Sequence, residues 1–337
     1  MTTRTRATRG LVAALSVLFV AGCASGQRLP SAVQGSTPPT TVAPATQTFT
    51  CPADQAEPDG ATPKTYAPDG PLPSAADLPA DSTMAEIQKN GALRIGVSAD
   101  TLLFGARNPL TGQIEGFDID MLKEVAKAIF GVDDAAAYDY LDFVVIPYNQ
   151  RIPKLRSGDV DIVAHTMTIN CVRWQQIAFS SEYYTSGQRV LVEVTSPYTS
   201  IDALAEAGAT VCVPDGSTNQ EKLADYPSIN AVAEPDISDC LVALQAGQVQ
   251  AITGDDTVLA GLQVQDPATA VVGDNFTSEP YGLGIAQDRV DFVKFVNALL
   301  DEMRADGRWQ AIYDHWLLGT LGAQTPPPAR YGREEPS

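Results

Sequence analysis

Apolar and polar positions follow two different periods between residues 92 and 317. Short apolar runs with strand character, LRIGV (Leu93–Val97), FVVIPY (Phe143–Tyr148) and DIVAH (Asp161–His165), alternate with stretches whose apolar residues fall three and four apart. These are FDIDMLKEVAKAIFG (Phe117–Gly131), QRIPKLRSG (Gln150–Gly158) and a segment after Asn170. A strand sends successive side chains to opposite faces, whereas a helix returns to one face every three to four residues. The succession therefore predicts parallel βαβ units with both faces of the sheet covered. A second series opens at TVCVPDG (Thr210–Gly216) and runs through ISDCLVALQAG (Ile237–Gly247), VQAITG (Val249–Gly254) and DDTVLAGL (Asp255–Leu262). The stretch from Val290 to Leu317 has helical spacing and no strand partner of its own. Two series in one chain predict an α/β fold in two lobes.

The flanks read differently. Residues 24 to about 80 are rich in Pro, Thr, Ser, Ala and Gln without apolar periodicity, a composition that cannot offset chain entropy by burial, and are expected to form a disordered tether. Order is expected to begin near STMAEIQKNG, with Ser82 capping a short helix and Gly91 following its end. TPPPARYGREEPS at the other end reads as a loose tail. At the start, Arg4, Arg6 and Arg9 precede the apolar GLVAALSVLFVAG, which is too short to span a bilayer comfortably, and small residues lead to Cys23; this reads as an export signal. The ending FVAGC resembles a bacterial lipobox, which implies cleavage after residue 22 and lipidation of Cys23.

A net charge of −19, from 41 acidic and 22 basic residues, excludes a nucleic-acid binder, which needs a basic footprint. With Cys23 assigned to lipid, Cys51, Cys171, Cys212 and Cys240 form an even set in an oxidising compartment. Two disulfides are expected, with three pairings open. No C-x-x-C occurs and the only histidines are His165 and His315, so no metal site is expected.

In each series a strand ends in hydroxyl residues followed at once by a helix start: AHTMTIN before CVRWQQI, and VPDGST before NQEKLADY. Open parallel sheets place ligands at the carboxyl ends of their strands, and free N–H groups there attract anions. Arg173 offers a fork matched to a carboxylate; Thr166, Thr168, Ser217 and Thr218 offer hydroxyls; Asp255 can accept from an ammonium. A carboxylate and an ammonium held side by side describe an α-amino acid. Each Ser, Thr or Asn taken alone is equally an ordinary helix cap.

These residues also carry a resemblance. The blocks GVSADT, GFDIDM, RIPKLRSGDVDI, TMTINCVR, FSSEYYTSGQ, DGST, TGDD and PYGLGI, in that order over roughly residues 85–318, resemble the polar amino-acid-binding family of extracytoplasmic solute-binding proteins. The closest likeness is to glutamine-binding-type lipoproteins of actinobacteria. The resemblance implies a periplasmic-binding-protein type 2 fold with two discontinuous βα lobes joined by two hinge strands. The first crossing is expected near Gly187–Val192 and the return near Pro280–Ile285. This divides the chain into a signal (1–22), a tether (23–80), a first lobe (81–188 with 282–320), a second lobe (189–281) and a tail (321–337).

By the same resemblance Arg173 would hold the ligand α-carboxylate with Thr168, Ser217 and Thr218, and Asp255 the α-ammonium with Thr166. Tyr148 and Phe104 would be aromatic walls, with core as the alternative reading of each. Asp100 matches a family aspartate near the ligand side chain, whereas Arg107 in the next loop would suit an acidic one. His165, standing where small residues are usual, is a further contact candidate, and Arg151 reads as a possible scaffold link between lobes. The implied ligand class is Glu, Asp, Gln or Asn. The implied lobes favour Cys212–Cys240 and Cys51–Cys171, since joining Cys171 to either second-lobe cysteine would staple the hinge. No cofactor is expected. Catalysis is not expected either, although this fold also carries dehydratases, because no nucleophile elbow, phosphate loop or zinc motif is present. The expected partner of this lipid-anchored monomer is a membrane protein, either a sensor upstream of a Ser/Thr kinase or an ABC permease.

Overall fold

Two five-stranded sheets account for the alternating pattern, as seen in a computed structural model that describes residues 62–336. The first sheet runs, edge to edge, Leu141–Val145, Leu93–Val97, Ile162–Ala164, Gly284–Ile285 and Ala178–Phe179; the second runs Asn230–Glu234, Thr210–Pro214, Ala251–Asp255, Gln188–Glu193 and Thr269–Val272. In each sheet the first three strands are parallel, as the βα succession predicts, and the fourth runs antiparallel to both of its neighbours. The reversal has a simple cause. Gln188–Glu193 and Gly284–Ile285 continue the segments that cross between lobes, so they enter each sheet from the hinge side. The crossings themselves form a two-stranded antiparallel ribbon, Tyr184–Ser186 against Glu279–Tyr281.

Local signals set most element ends. Ser82 accepts a hydrogen bond from Ala85 N (3.2 Å) at the start of the Thr83–Asn90 helix, and Gly91 closes it. The long helical region from Val290 breaks into Val290–Asp306 and Arg308–Trp316 at Gly307, whose φ of 85° only glycine adopts without strain. Each lobe buries its own apolar residues: Leu93, Ile95, Phe117, Ile162 and Phe292 belong to one cluster, and Leu191, Ile252, Ile237 and Leu259 to another. Among the described residues no helix is long and apolar enough to cross a membrane.

Both flanks depart from the sequence reading. The tether was expected to reach residue 80, yet Thr65 and Tyr66 are buried, and Thr65 N donates to Arg330 O (2.9 Å) while Arg333 N donates to Thr65 O (3.1 Å). The tail beyond 321 is therefore not loose: Tyr331 OH donates to Asp301 (2.8 Å), and the Arg333 guanidinium lies 3.9 Å over the Trp174 ring. Composition argued for disorder because these segments have no period. Their order comes instead from one isolated bridge and from Asn297, fully buried, which donates to Tyr66 O (2.8 Å) and accepts from Ser181 N (2.6 Å). The Cys23 and signal-segment expectations lie outside the described residues.

Candidate functional site

The carboxyl ends of Ile162–Ala164, Thr210–Pro214 and Ala251–Asp255 bring the hydroxyl-rich segments of both lobes to one seam. Asn170 caps the single turn Cys171–Trp174 by accepting from Arg173 N (2.8 Å), and the turn carries the Arg173 side chain back to donate through Nη1 to Thr168 O (2.8 Å). Arg173 is 4% exposed, and burial lowers its pKa; its other guanidinium donors have no protein partner among the described residues. Ser217 is committed to its own turn, donating to Pro214 O (2.6 Å) and accepting from Gln220 N (3.1 Å) as cap of Thr218–Leu223. Thr168 from one lobe and Thr218 from the other stand 3.3 Å apart, Oγ1 to Oγ1, and both donate to Glu279 Oε2, at 2.7 and 2.8 Å.

Asp255 sits 5% exposed and accepts from Asn219 Nδ2 (2.7 Å) and Tyr281 OH (2.6 Å). Burial, and then the charge of Glu279, push its carboxyl up to about 7, against the pull of those two hydrogen bonds. Thr166 adopts φ 42°, a left-handed conformation that strains a β-branched residue, and is held there by Asp118, which accepts from its N–H (3.0 Å). Asp118 is pushed up to about 6 by burial, opposed by Tyr183 OH and the Thr166 amide. The Thr166 hydroxyl is buried without a partner among the described residues.

Arg151 ties the seam together. Its Nε donates to Tyr148 O (2.9 Å), Nη1 to His165 O (3.1 Å) and Nη2 to Gly216 O of the second lobe (3.3 Å), with the guanidinium 4.7 Å from the Tyr148 ring. Tyr148 packs with the second lobe's Ile237 and Leu259 and meets the His165 ring edge-on at 4.6 Å. His165 Nε2 lies 3.1 Å from Ile146 O, so it carries the proton, and Nδ1 is left buried and unpartnered. Burial and then Arg151 drive its pKa down to about 3, so the ring is neutral.

Three further candidates lie outside this hydrogen-bonded cluster, although the charge of Asp100 reaches Tyr148 and His165. Asp100 accepts from Ser98 Oγ (2.6 Å) and from Ser238 N (3.1 Å) at the start of the second-lobe helix Ile237–Gln245, so it latches the lobes. Phe104 is fully buried against Phe117, Tyr184 and Tyr281. Arg107 is exposed and donates to Gly112 O (2.7 Å) within its own hairpin. Glu279, Tyr281 and Asn219 were not foreseen. Glu279 and Tyr281 lie two apart in the hinge ribbon and so share a face, a periodicity that the TSEPYG segment carried unread. Cys212 and Cys240 are joined; Cys171 is also disulfide-bonded, and its expected partner Cys51 lies outside the described residues. No group of three or more His, Cys, Asp or Glu among the described residues is placed to hold a metal ion.

Known proteins resemble this chain. Residues 93–319 match the family described as bacterial extracellular solute-binding proteins, family 3. The ABC transporter glutamine-binding protein GlnH of Bacillus subtilis (strain 168) is 35% identical over 236 residues, covering 70% of this chain and 84% of that protein. The glutamate-binding protein GluB of Corynebacterium efficiens is 31% identical over 237 residues, covering 68% and 80%. Among solved structures, the ancestral amino acid-binding protein AncCDT-1, a precursor of cyclohexadienyl dehydratase, superposes with a TM-score of 0.63 at 31% identity, covering 70% of this chain and 99% of that one.

Proposed function

The chain belongs to family 3 of the bacterial extracellular solute-binding proteins, and from that premise we propose that it is an extracytoplasmic receptor, not an enzyme, for a free amino acid with an acidic or amide side chain. In this reading Arg173 takes the α-carboxylate, the Thr168 and Thr218 hydroxyls turn from Glu279 to join it, and Asp255 takes the α-ammonium. The observation that carries it is the meeting of Thr168 and Thr218, from opposite lobes, beside a buried Arg173 whose remaining donors are unspent and a buried Asp255 with no cationic partner. Relatives described as glutamine- and glutamate-binding support the acidic-or-amide class. A ligand that touches both lobes stabilises the closed arrangement through contacts the open one lacks.

The partner follows from the same family. Delivery to an ABC permease is supported by the Bacillus relative's description. Sensing through a membrane protein upstream of a Ser/Thr kinase is the second reading, favoured by the sequence blocks shared with actinobacterial lipoproteins, with Cys23 as the lipid anchor. Unchanged uptake of labelled glutamate in a deletion strain would count against import; an unchanged kinase response would count against sensing.

The ligand class is tested by thermal shift across the twenty amino acids, because a ligand bound only by the folded state raises its midpoint by mass action. Glu, Asp, Gln or Asn should stabilise, and Arg173→Ala should abolish the shift, since losing a charge-assisted bond costs about 1.5–3 kcal/mol. Stabilisation confined to Lys or Arg would sink the assignment.

A further inference from the structure

A cavity of about 620 Å³ opens beside Arg173, lined on the first-lobe side by Tyr148, Arg151, Arg156, Met167 and Arg173 and closed from the second lobe by Gly216. Its charged lining is three arginines and no carboxylate. Arg151 and Arg173 are 2% and 4% exposed and form its floor, while Arg156, exposed on the Arg151–Ser157 helix, forms its rim. Four arginines elsewhere are neutralised: Arg94 pairs with Asp161, Arg289 with Glu86, Arg304 with Asp301, and Arg308 with Glu124. None of the three at the cavity forms an ion pair among the described residues. Two second-lobe acids stand near: Asp215, held by Asn149 Nδ2 (2.7 Å), and Glu221, whose charge reaches Arg173.

We propose that this cavity is the entrance through which an anionic ligand reaches Arg173, and that Arg156 is a specificity-determining residue favouring the acidic amino acids over their neutral amides. The proposal rests on the amino-acid reading above. A chain of net charge −19 repels an anion at a distance, so capture requires a local reversal of sign where the ligand enters. Two buried guanidiniums and an exposed third at the rim, none of them ion-paired among the described residues, supply that reversal. Glutamate and aspartate carry a net charge of −1 near neutral pH, whereas glutamine and asparagine carry none. The field therefore acts on the association rate of the first pair and leaves the second pair nearly untouched.

The test is stopped-flow tryptophan fluorescence on the purified protein with glutamate and with glutamine, in wild type and in Arg156→Ala, Arg156→Glu and Arg156→Lys. For a charge roughly 8 Å from the entering anion at an ionic strength of about 0.01 M, glutamate association should slow about two-fold in Arg156→Ala and about four-fold in Arg156→Glu. Arg156→Lys should keep the wild-type rate, and the differences should vanish at about 0.3 M salt. Glutamine association should stay constant across all four proteins. Equal slowing of glutamine and glutamate, or a glutamate rate indifferent to the charge at 156, would overturn the proposal. A wild type that responds to neither amino acid would refute the underlying ligand class first and this inference with it.

Discussion

Asp255 makes ligand binding pH-dependent in a direction fixed by its surroundings. Its carboxyl, pushed up to about 7 by burial and by Glu279, is mostly protonated at pH 6 when no ligand is bound. An α-ammonium, still protonated up to about pH 8, requires the ionised form. With a pKa of about 7, the ionised fraction rises from about one tenth at pH 6 to about nine tenths at pH 8, so the apparent association constant should rise about ten-fold. Stability without ligand moves the opposite way. A carboxyl whose folded pKa lies above its unfolded value near 3.9 contributes stability that is fully present below about pH 4 and is lost as pH rises through 7, a total of about 4 kcal/mol from this group. Isothermal titration calorimetry in buffers of differing ionisation enthalpy at pH 6, 7 and 8 measures both the affinity and the proton released on binding. In Asp255→Asn the slope and the proton release should disappear together. An affinity that is flat or falling between pH 6 and 8 in the wild type would refute the assignment of Asp255 to the ammonium.

Two other perturbations test closure and framework. A Cβ at Gly261, on the second-lobe helix Asp256–Gln265, would meet the first-lobe carbonyl of Leu102 at 2.6 Å, a contact with backbone that side-chain motion cannot relieve. Gly261→Ala should leave the thermal midpoint without ligand nearly unchanged, since the helix interior favours Ala, while weakening ligand binding at least ten-fold and enlarging the radius of gyration by small-angle scattering; normal closure would refute the interlobe contact. Reduction of Cys212–Cys240, which encloses a sequence separation of 28, should cost about 3–4 kcal/mol on loop entropy, read by denaturant midpoint, and an unchanged midpoint would show that the bridge constrains nothing in the unfolded chain.

What the sequence carried and what it did not divide along the range of the interaction. The βα succession was legible because burial imposes its period locally: Leu93–Val97 and Phe117–Phe130 show it within a single element. Ser82, Asn170 and Ser217 were legible as caps for the same reason, and each does cap a helix, which is why their side chains are weaker evidence for a ligand than the hydroxyls of Thr168 and Thr218. The reversed fourth strands were not legible, because strand direction there is dictated by where the hinge ribbon enters the sheet and not by the strand's own residues. The ordered flanks escaped notice because Thr65 and Tyr331 are 266 residues apart and pair through a single bridge. Asp100 and Arg107 show the limit most clearly. Both were candidates by position along the chain, yet one carboxylate bonds the amide of Ser238 in the other lobe and one guanidinium bonds Gly112 five residues past its hairpin strand, choices that depend on partners no local pattern announces. Glu279 is the converse case: a residue with no local signal becomes the point on which hydroxyls from both lobes converge, so the chemistry of the seam is set by the hinge ribbon as much as by the strand ends that the sequence made visible.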